Sequence, residues 1–112
     1  MNPLRSEMFR KLLERDPSNP MVLCSLGTEL FKEGNHEEAR DHLKKAVENK
    51  PDYSVAYRML GRAHYELGED AEAKQVFERG HEVAQSNGDL QTVKEIEVFQ
   101  RRLEKRGNEE HA

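Results

Sequence analysis

The chain's 112 residues allow one domain, and their 36% charged and 6% aromatic content, without tryptophan, disfavours a round core in favour of a thin stack of helices with one wet face each. Eighteen basic residues are interspersed among 22 acidic ones for a net charge of −4, which argues against the basic stripe of a nucleic-acid binder. No run approaches the ~20 apolar residues of a membrane span, and the single cysteine, Cys24, leaves no intrachain disulfide to mark an oxidising compartment, so a cytoplasmic location is expected.

In chain order, Leu4, Met8, Phe9, Leu12 and Leu13 recur at three- and four-residue spacing, which predicts a helix over residues 4–16. The cluster Asp16-Pro17-Ser18-Asn19-Pro20 breaks it. Asn19 is placed to cap the next helix, with Pro20 in its first turn, where the missing N–H costs nothing. That helix is expected from Pro20 to about Glu33, with Leu23, Leu26, Gly27 and Leu30 on one side. Gly34-Asn35 ends it, because glycine takes the left-handed C-cap conformation freely. A further helix from His36 to about Lys50 carries Ala39, Leu43, Ala46 and Val47 as its inner stripe. The two-residue turn makes the two helices antiparallel neighbours, and Gly27, Ala39 and Ala46 are small enough to let them approach.

Pro51-Asp52-Tyr53 then breaks the chain, Ser54 is a suitable N-cap, and the hairpin is written again. Leu26-Gly27 returns as Leu60-Gly61, Leu23 as Tyr57, Ala39 as Ala73, Leu43 as Phe77 and Ala46 as Gly80, each offset by 34 residues (27 to 61, 39 to 73). A period of about 34 residues with small residues at fixed points marks a helix-turn-helix array. The second unit has Gln85 where the first has Pro51 and so runs on to Ser86-Asn87-Gly88. A last helix over 89–106 carries Leu90, Val93, Ile96, Phe99 and Leu103, and residues 107–112 are expected to form a frayed polar tail.

With these residues in place the chain resembles the tetratricopeptide repeat family. Leu23, Leu26, Gly27, Leu30, Ala39, Leu43, Ala46 and Pro51 meet its pattern in the first unit, and Tyr57, Leu60, Gly61, Ala73, Phe77 and Gly80 in the second. His64 stands where an aromatic is usual and Gln85 where proline is usual. Phe9 and Pro17 fall on the second half of a preceding unit. Residues 89–106 take the first-helix place of a third, but with Glu95 at the small-residue position. The resemblance implies an all-α, right-handed α-solenoid of antiparallel helical hairpins: an N-terminal half-repeat over 4–16, repeats over 20–53 and 54–87, a capping helix over 89–106 and a flexible tail.

The resemblance also implies a concave groove, lined by the first helices, that holds an extended peptide or a partner helix. Carried over by position, its lining is Met21, Cys24, Ser25, Thr28 and Phe31 from the first unit, and Val55, Arg58, Met59, Arg62 and Tyr65 from the second. Arg58 and Arg62, four apart, share one helix face. With Tyr65, Phe31 and Met59 beside them they suit a carboxylate-bearing, partly apolar peptide. The competing reading is a salt-bridged pair neutralised by Glu66, Glu69 or C-terminal glutamates. Some members grip acidic chaperone tails with lysines, asparagines and an arginine. Here Cys24, Thr28 and Met59 occupy such positions, with Asp89 and Val93 at those of the third unit, so that clamp is absent.

Catalysis is not expected. Cys24 has no helical neighbour to activate it and reads as a packing or groove residue. The five histidines include no i,i+4 pair and no cysteine partner, so neither a metal nor any other cofactor is expected. His64 reads as a packing residue hydrogen-bonded between the hairpins. The function expected is non-catalytic protein–protein interaction without nucleic acid or membrane. The alternative is a self-associating module, a homodimer through Met8, Phe9 and Leu12 on the face that a preceding first helix would cover. The opening Met1 and polar tail are expected of a whole chain rather than a fragment.

Overall fold

A computed structural model describes the backbone of residues 3–110 and the side chains of residues 5–109. Six helices follow one another: α1 (Pro3–Arg15), α2 (Pro20–Lys32), α3 (His36–Asn49), α4 (Ser54–Glu66), α5 (Asp70–Ser86) and α6 (Leu90–Glu110). α2 packs on α3 and α4 on α5 as hairpins, α3 on α4 and α5 on α6 join the units, and α1 leans on α2. The result is an all-α right-handed solenoid with extents of 48 × 30 × 20 Å.

The caps follow from the sequence at one helix start and three helix ends, while Asn35, Tyr53 and Glu69 make no side-chain cap before α3, α4 and α5. The Asn19 side chain accepts from the N–H groups of Met21 (3.0 Å) and Val22 (3.2 Å), and Pro20 opens α2. Gly34, Gly68 and Gly88 close α2, α4 and α5 with φ of 83°, 73° and 71°, a region that costs other residues strain. Ser54 departs from expectation. It is the first residue of α4, not its cap, and its Oγ donates 2.7 Å across to Asp89 before α6. The same carboxylate accepts the Thr92 N–H at 3.2 Å, so one aspartate fixes the starts of two helices.

Close approach is set by glycine. A Cβ on Gly27 would lie 2.6 Å from Leu43 Cγ, one on Gly61 2.3 Å from Phe77 Cε1, and one on Gly80 2.6 Å from Tyr57 Cβ. Leu23, Leu26, Leu30, Leu43, Phe77 and Ile96 are fully buried along the axis. An asparagine at the end of each second helix stitches it to the preceding turn: Asn49 Nδ2 donates to the Ser18 carbonyl (3.0 Å) and Asn87 Nδ2 to that of Asp52 (2.8 Å). His64 is buried, as expected of a packing residue. Its Nδ1 lies 2.8 Å from Glu69, which also accepts from Arg40 of α3 at 2.8 Å, so the link runs between the hairpins.

Two expectations at the ends need correction. Residues 107–110, expected to fray, continue α6. Arg106 anchors this last stretch, bonding Asp70 through Nε (3.2 Å) and the Tyr65 carbonyl through Nη2 (3.1 Å). His111 and Ala112 of the expected tail, and the Leu4 side chain, lie outside the described residues. On α1, Phe9 does not face outward with Met8 and Leu12 but packs with Leu13 against the core of the first unit. An amphipathic helix leaning on one neighbour turns its largest apolar side chain inward.

Candidate binding groove

α2, α4 and α6 are the first helices of successive units, and α4 touches both of the others. Arg58 and Arg62, one turn apart on α4, face α6 across a cleft of about 490 Å³ lined with Glu95, Val98, Phe99 and Arg102. Arg58 Nη1 donates to the Glu95 carboxylate. Burial pushes the Glu95 carboxyl up, but the Gln91 amide (3.2 Å) and the Arg58 charge outweigh it and hold it below its ordinary value.

Arg62 is placed differently. Its guanidinium carbon lies 4.9 Å from the centre of the Phe31 ring on α2 and 5.1 Å from that of Phe99 on α6, so three helices meet in one cation–π rung. Arg102 adds a second cation 4.9 Å from the Phe99 ring. Among the described residues neither Arg62 nor Arg102 has a carboxylate within ion-pair distance. Burial, and then the like charge of Arg58, lower the basicity of Arg62, while Glu66 and Glu95 act the other way; a guanidinium stays charged throughout. The Nε atoms of both Arg58 and Arg62 are buried without a hydrogen-bond partner.

The expected groove residues divide three ways. Phe31, Arg58 and Arg62 are brought together. Met21 is 64% exposed, and Val55, Ser25 and Thr28 are half-buried, Thr28 Oγ1 donating 2.8 Å to the Cys24 carbonyl. Tyr65 is half-covered, with the Arg106 guanidinium 3.8 Å from its ring centre and the Phe99 ring 5.6 Å away, edge to face. Cys24 and Met59, only 5% and 4% exposed, do not line a groove but belong to the core with Leu23, Leu26 and Leu60. A first helix in this stack is covered by its own second helix, by the second helix of the preceding unit and by the adjacent first helices. Its buried arc is therefore wider than one stripe.

Glu95, Val98, Phe99 and Arg102 were not expected in the groove, because α6 is out of register. α4 begins 34 residues after α2, but α6 begins 36 after α4. α5 has 17 residues against 14 in α3, since Gln85 does not stop it where a proline would, and the connection that follows is one residue shorter than that before α4. The extra two residues put Ile96 at the place of Leu60 and carry Glu95 from the close-packing position into the groove. The stripe Val93, Ile96, Phe99 and Leu103 was the signal that could have revealed the slip, for it does not fit a 34-residue offset. Leu90, assigned to that stripe, is exposed.

The described residues hold no group of three or more His, Cys, Asp and Glu side chains that could bind a metal ion. No helix among them is long and apolar enough to cross a membrane.

Helical hairpins repeated about one axis, with small residues at each crossing and a cleft across the first helices, define an all-α repeat solenoid. The sequence pattern of the tetratricopeptide repeat matches residues 30–95, and the chain belongs to that family. A TPR repeat-containing protein of Pseudomonas aeruginosa is 35% identical over 99 residues, covering 88% of this chain and 94% of its own. A heat-shock protein cognate co-chaperone of Aspergillus fumigatus is 30% identical over 99 residues, of which this chain spans only 29%. A Bordetella parapertussis protein solved in solution is 35% identical, with a TM-score of 0.82 over 99% of this chain and 96% of its own.

Proposed function

We propose that the chain is a non-catalytic protein-interaction scaffold whose cleft takes a peptide or partner helix and fixes a carboxylate on Arg62. The observation that carries this reading is the rung Phe31–Arg62–Phe99, a guanidinium held by two aromatic rings from flanking helices and without a carboxylate of its own. Such a cation is preorganised for an in-plane, charge-assisted pair, and the rings beside it offer apolar contact. Arg58, first assigned the same task, is engaged by Glu95.

The co-chaperone description of the Aspergillus relative supports a partner-binding role. The residues of this chain do not support the same partner: Cys24 and Met59, at positions of the chaperone-tail clamp, are buried and uncharged. The cytoplasm is the location we assign.

The test is a peptide library displayed with free C-termini, from which binders are selected and remeasured as C-terminal amides. Arg62→Ala should weaken the selected acids about tenfold, and amidation or acid-to-amide change in the peptide should do the same. Equal affinity of wild type and Arg62→Ala would sink the assignment.

Self-association has one observation in its favour. Met8 and Leu12, on the α1 face that no helix among the described residues covers, are 52% and 42% exposed. Sedimentation velocity decides: a mass that stays monomeric at high protein concentration removes it, and a dimer lost on Leu12→Glu retains it.

A further inference from the structure

The cleft contains three arginines, yet they are not equivalent, and the difference points to what the partner must look like. Arg58 is held by Glu95. The other two, Arg62 and Arg102, lie 5.1 and 4.9 Å from the centre of the same Phe99 ring. Both line the same cleft. A second negative group displaced toward Arg58 meets the Glu95 carboxylate, which accepts from Arg58 and Gln91. Beside the two uncommitted cations Val98, Phe99 and Phe31 supply the apolar part of an otherwise charged wall.

We propose that Glu95 is the specificity-determining residue of this cleft: it restricts the partner to a peptide that presents one carboxylate next to apolar side chains, and it rejects polyacidic segments. This rests on the groove reading above. Glu95 acts twice, consuming the charge of Arg58 and placing a like charge where a second acid would lie. Like-charge juxtaposition is the usual means by which a site excludes a wrong partner. Glu95 reaches this place only because α6 is shifted by two residues against the repeat, so a chain that kept the 34-residue offset would have no acid there.

The experiment uses the whole chain and two fluorescent hexapeptides with free C-termini. One is Ala-Leu-Ala-Val-Ala-Leu, whose only carboxylate is terminal; the other is Ala-Leu-Glu-Glu-Glu-Leu. Wild type should bind the first at least about fivefold more tightly. Glu95→Gln should bind the polyacidic peptide about tenfold more tightly than wild type does, a gain that Arg58→Ala placed on top removes. Wild type preferring the polyacidic peptide, or Glu95→Gln leaving the ratio unchanged, overturns the proposal. Failure of both peptides to bind any variant overturns it too. Arg62→Ala separates the two levels. If it weakens the single-acid peptide while Glu95→Gln changes nothing, the groove stands and the specificity role falls. If Arg62→Ala has no effect on either peptide, the groove reading itself falls.

Discussion

Gly61 lies against the edge of the Phe77 ring so closely that a methyl group on it would stand 2.3 Å from Cε1, 2.5 Å from Cδ1 and 2.6 Å from Cζ. Phe77 is fully buried and cannot swing aside, so the crossing of α4 and α5 depends on the missing side chain. Gly61→Ala should cost about 1–3 kcal/mol through overpacking, despite a gain of up to ~1 kcal/mol in helix propensity. Gly107, with nothing within 4 Å of a built Cβ, is the control: Gly107→Ala should be neutral or stabilising by up to ~1 kcal/mol. Urea melts of the two variants check both signs at once.

The contrast between those glycines shows what the sequence can and cannot tell. Gly27, Gly61, Ala39 and Ala73 repeat at a fixed offset, and the offset gives the hairpins and the small-residue crossings, while the handedness came only with the family resemblance. The groove was less legible. Phe31, Arg58 and Arg62 sit in helices that keep the 34-residue register, so their positions carry over. Glu95 and Phe99 sit beyond α5, whose length is set by the absence of a proline, and a register counted from the repeat runs two residues short there. Cys24 and Met59 were misplaced because helix-face counting sees one neighbour where the stack packs a first helix against several. Glu29 gave no signal at all. A glutamate in an amphipathic helix reads as wet, yet it is buried, with Arg5 3.3 Å and Lys32 3.6 Å from its carboxylate.

Asp89 makes stability depend on pH. The Thr92 and then the Ser54 hydrogen bonds lower its carboxyl below the ordinary value of 3.8, against a smaller opposing effect of burial. A depressed carboxyl contributes stability above its unfolded pKa, and that contribution is lost as pH falls through the lower, folded value. The window is therefore below pH ~4. Asp89→Ala should cost about 1 kcal/mol at pH 7, the usual worth of such a cap, and less at pH 2 to 3. Thermal melts of wild type and variant across that range should converge on acidification; curves that stay parallel would remove the role.

Cys24 should be a poor nucleophile while the chain is folded. Burial raises its thiol pKa, and hydrogen bonds involving Tyr53 and Thr28 only partly offset this; Tyr53 in turn is pushed up to about 12, burial being the largest cause. The thiolate is the reactive form. A disulfide reagent at pH 8 should therefore label Cys24 at least about a hundredfold more slowly than a free thiol, at a rate set by opening of the fold. Addition of urea should restore full reactivity. Rapid labelling in native buffer would mean that the α2–α4 seam opens far more often than its packing implies.

Arg106 tests whether α6 is a passive cap or is pinned at its far end. Its guanidinium spans three elements, lying over the Tyr65 ring of α4, bonding the Tyr65 carbonyl and pairing with Asp70, the first residue of α5. Both partners of the ion pair are about a third exposed, so solvent and salt screen it and its direct contribution is at most ~1 kcal/mol. The larger effect should be local. With Arg106→Ala, residues beyond Leu103 lose their tie to the α4–α5 turn, while Ile96, fully buried against Phe77 and Gly80, still holds the first half of α6. Amide hydrogen exchange should then show protection lost over residues 104–110 and retained at Ile96. Loss of protection along the whole helix would instead mean that α6 docks as one cooperative unit whose stability is set at its C-terminal end.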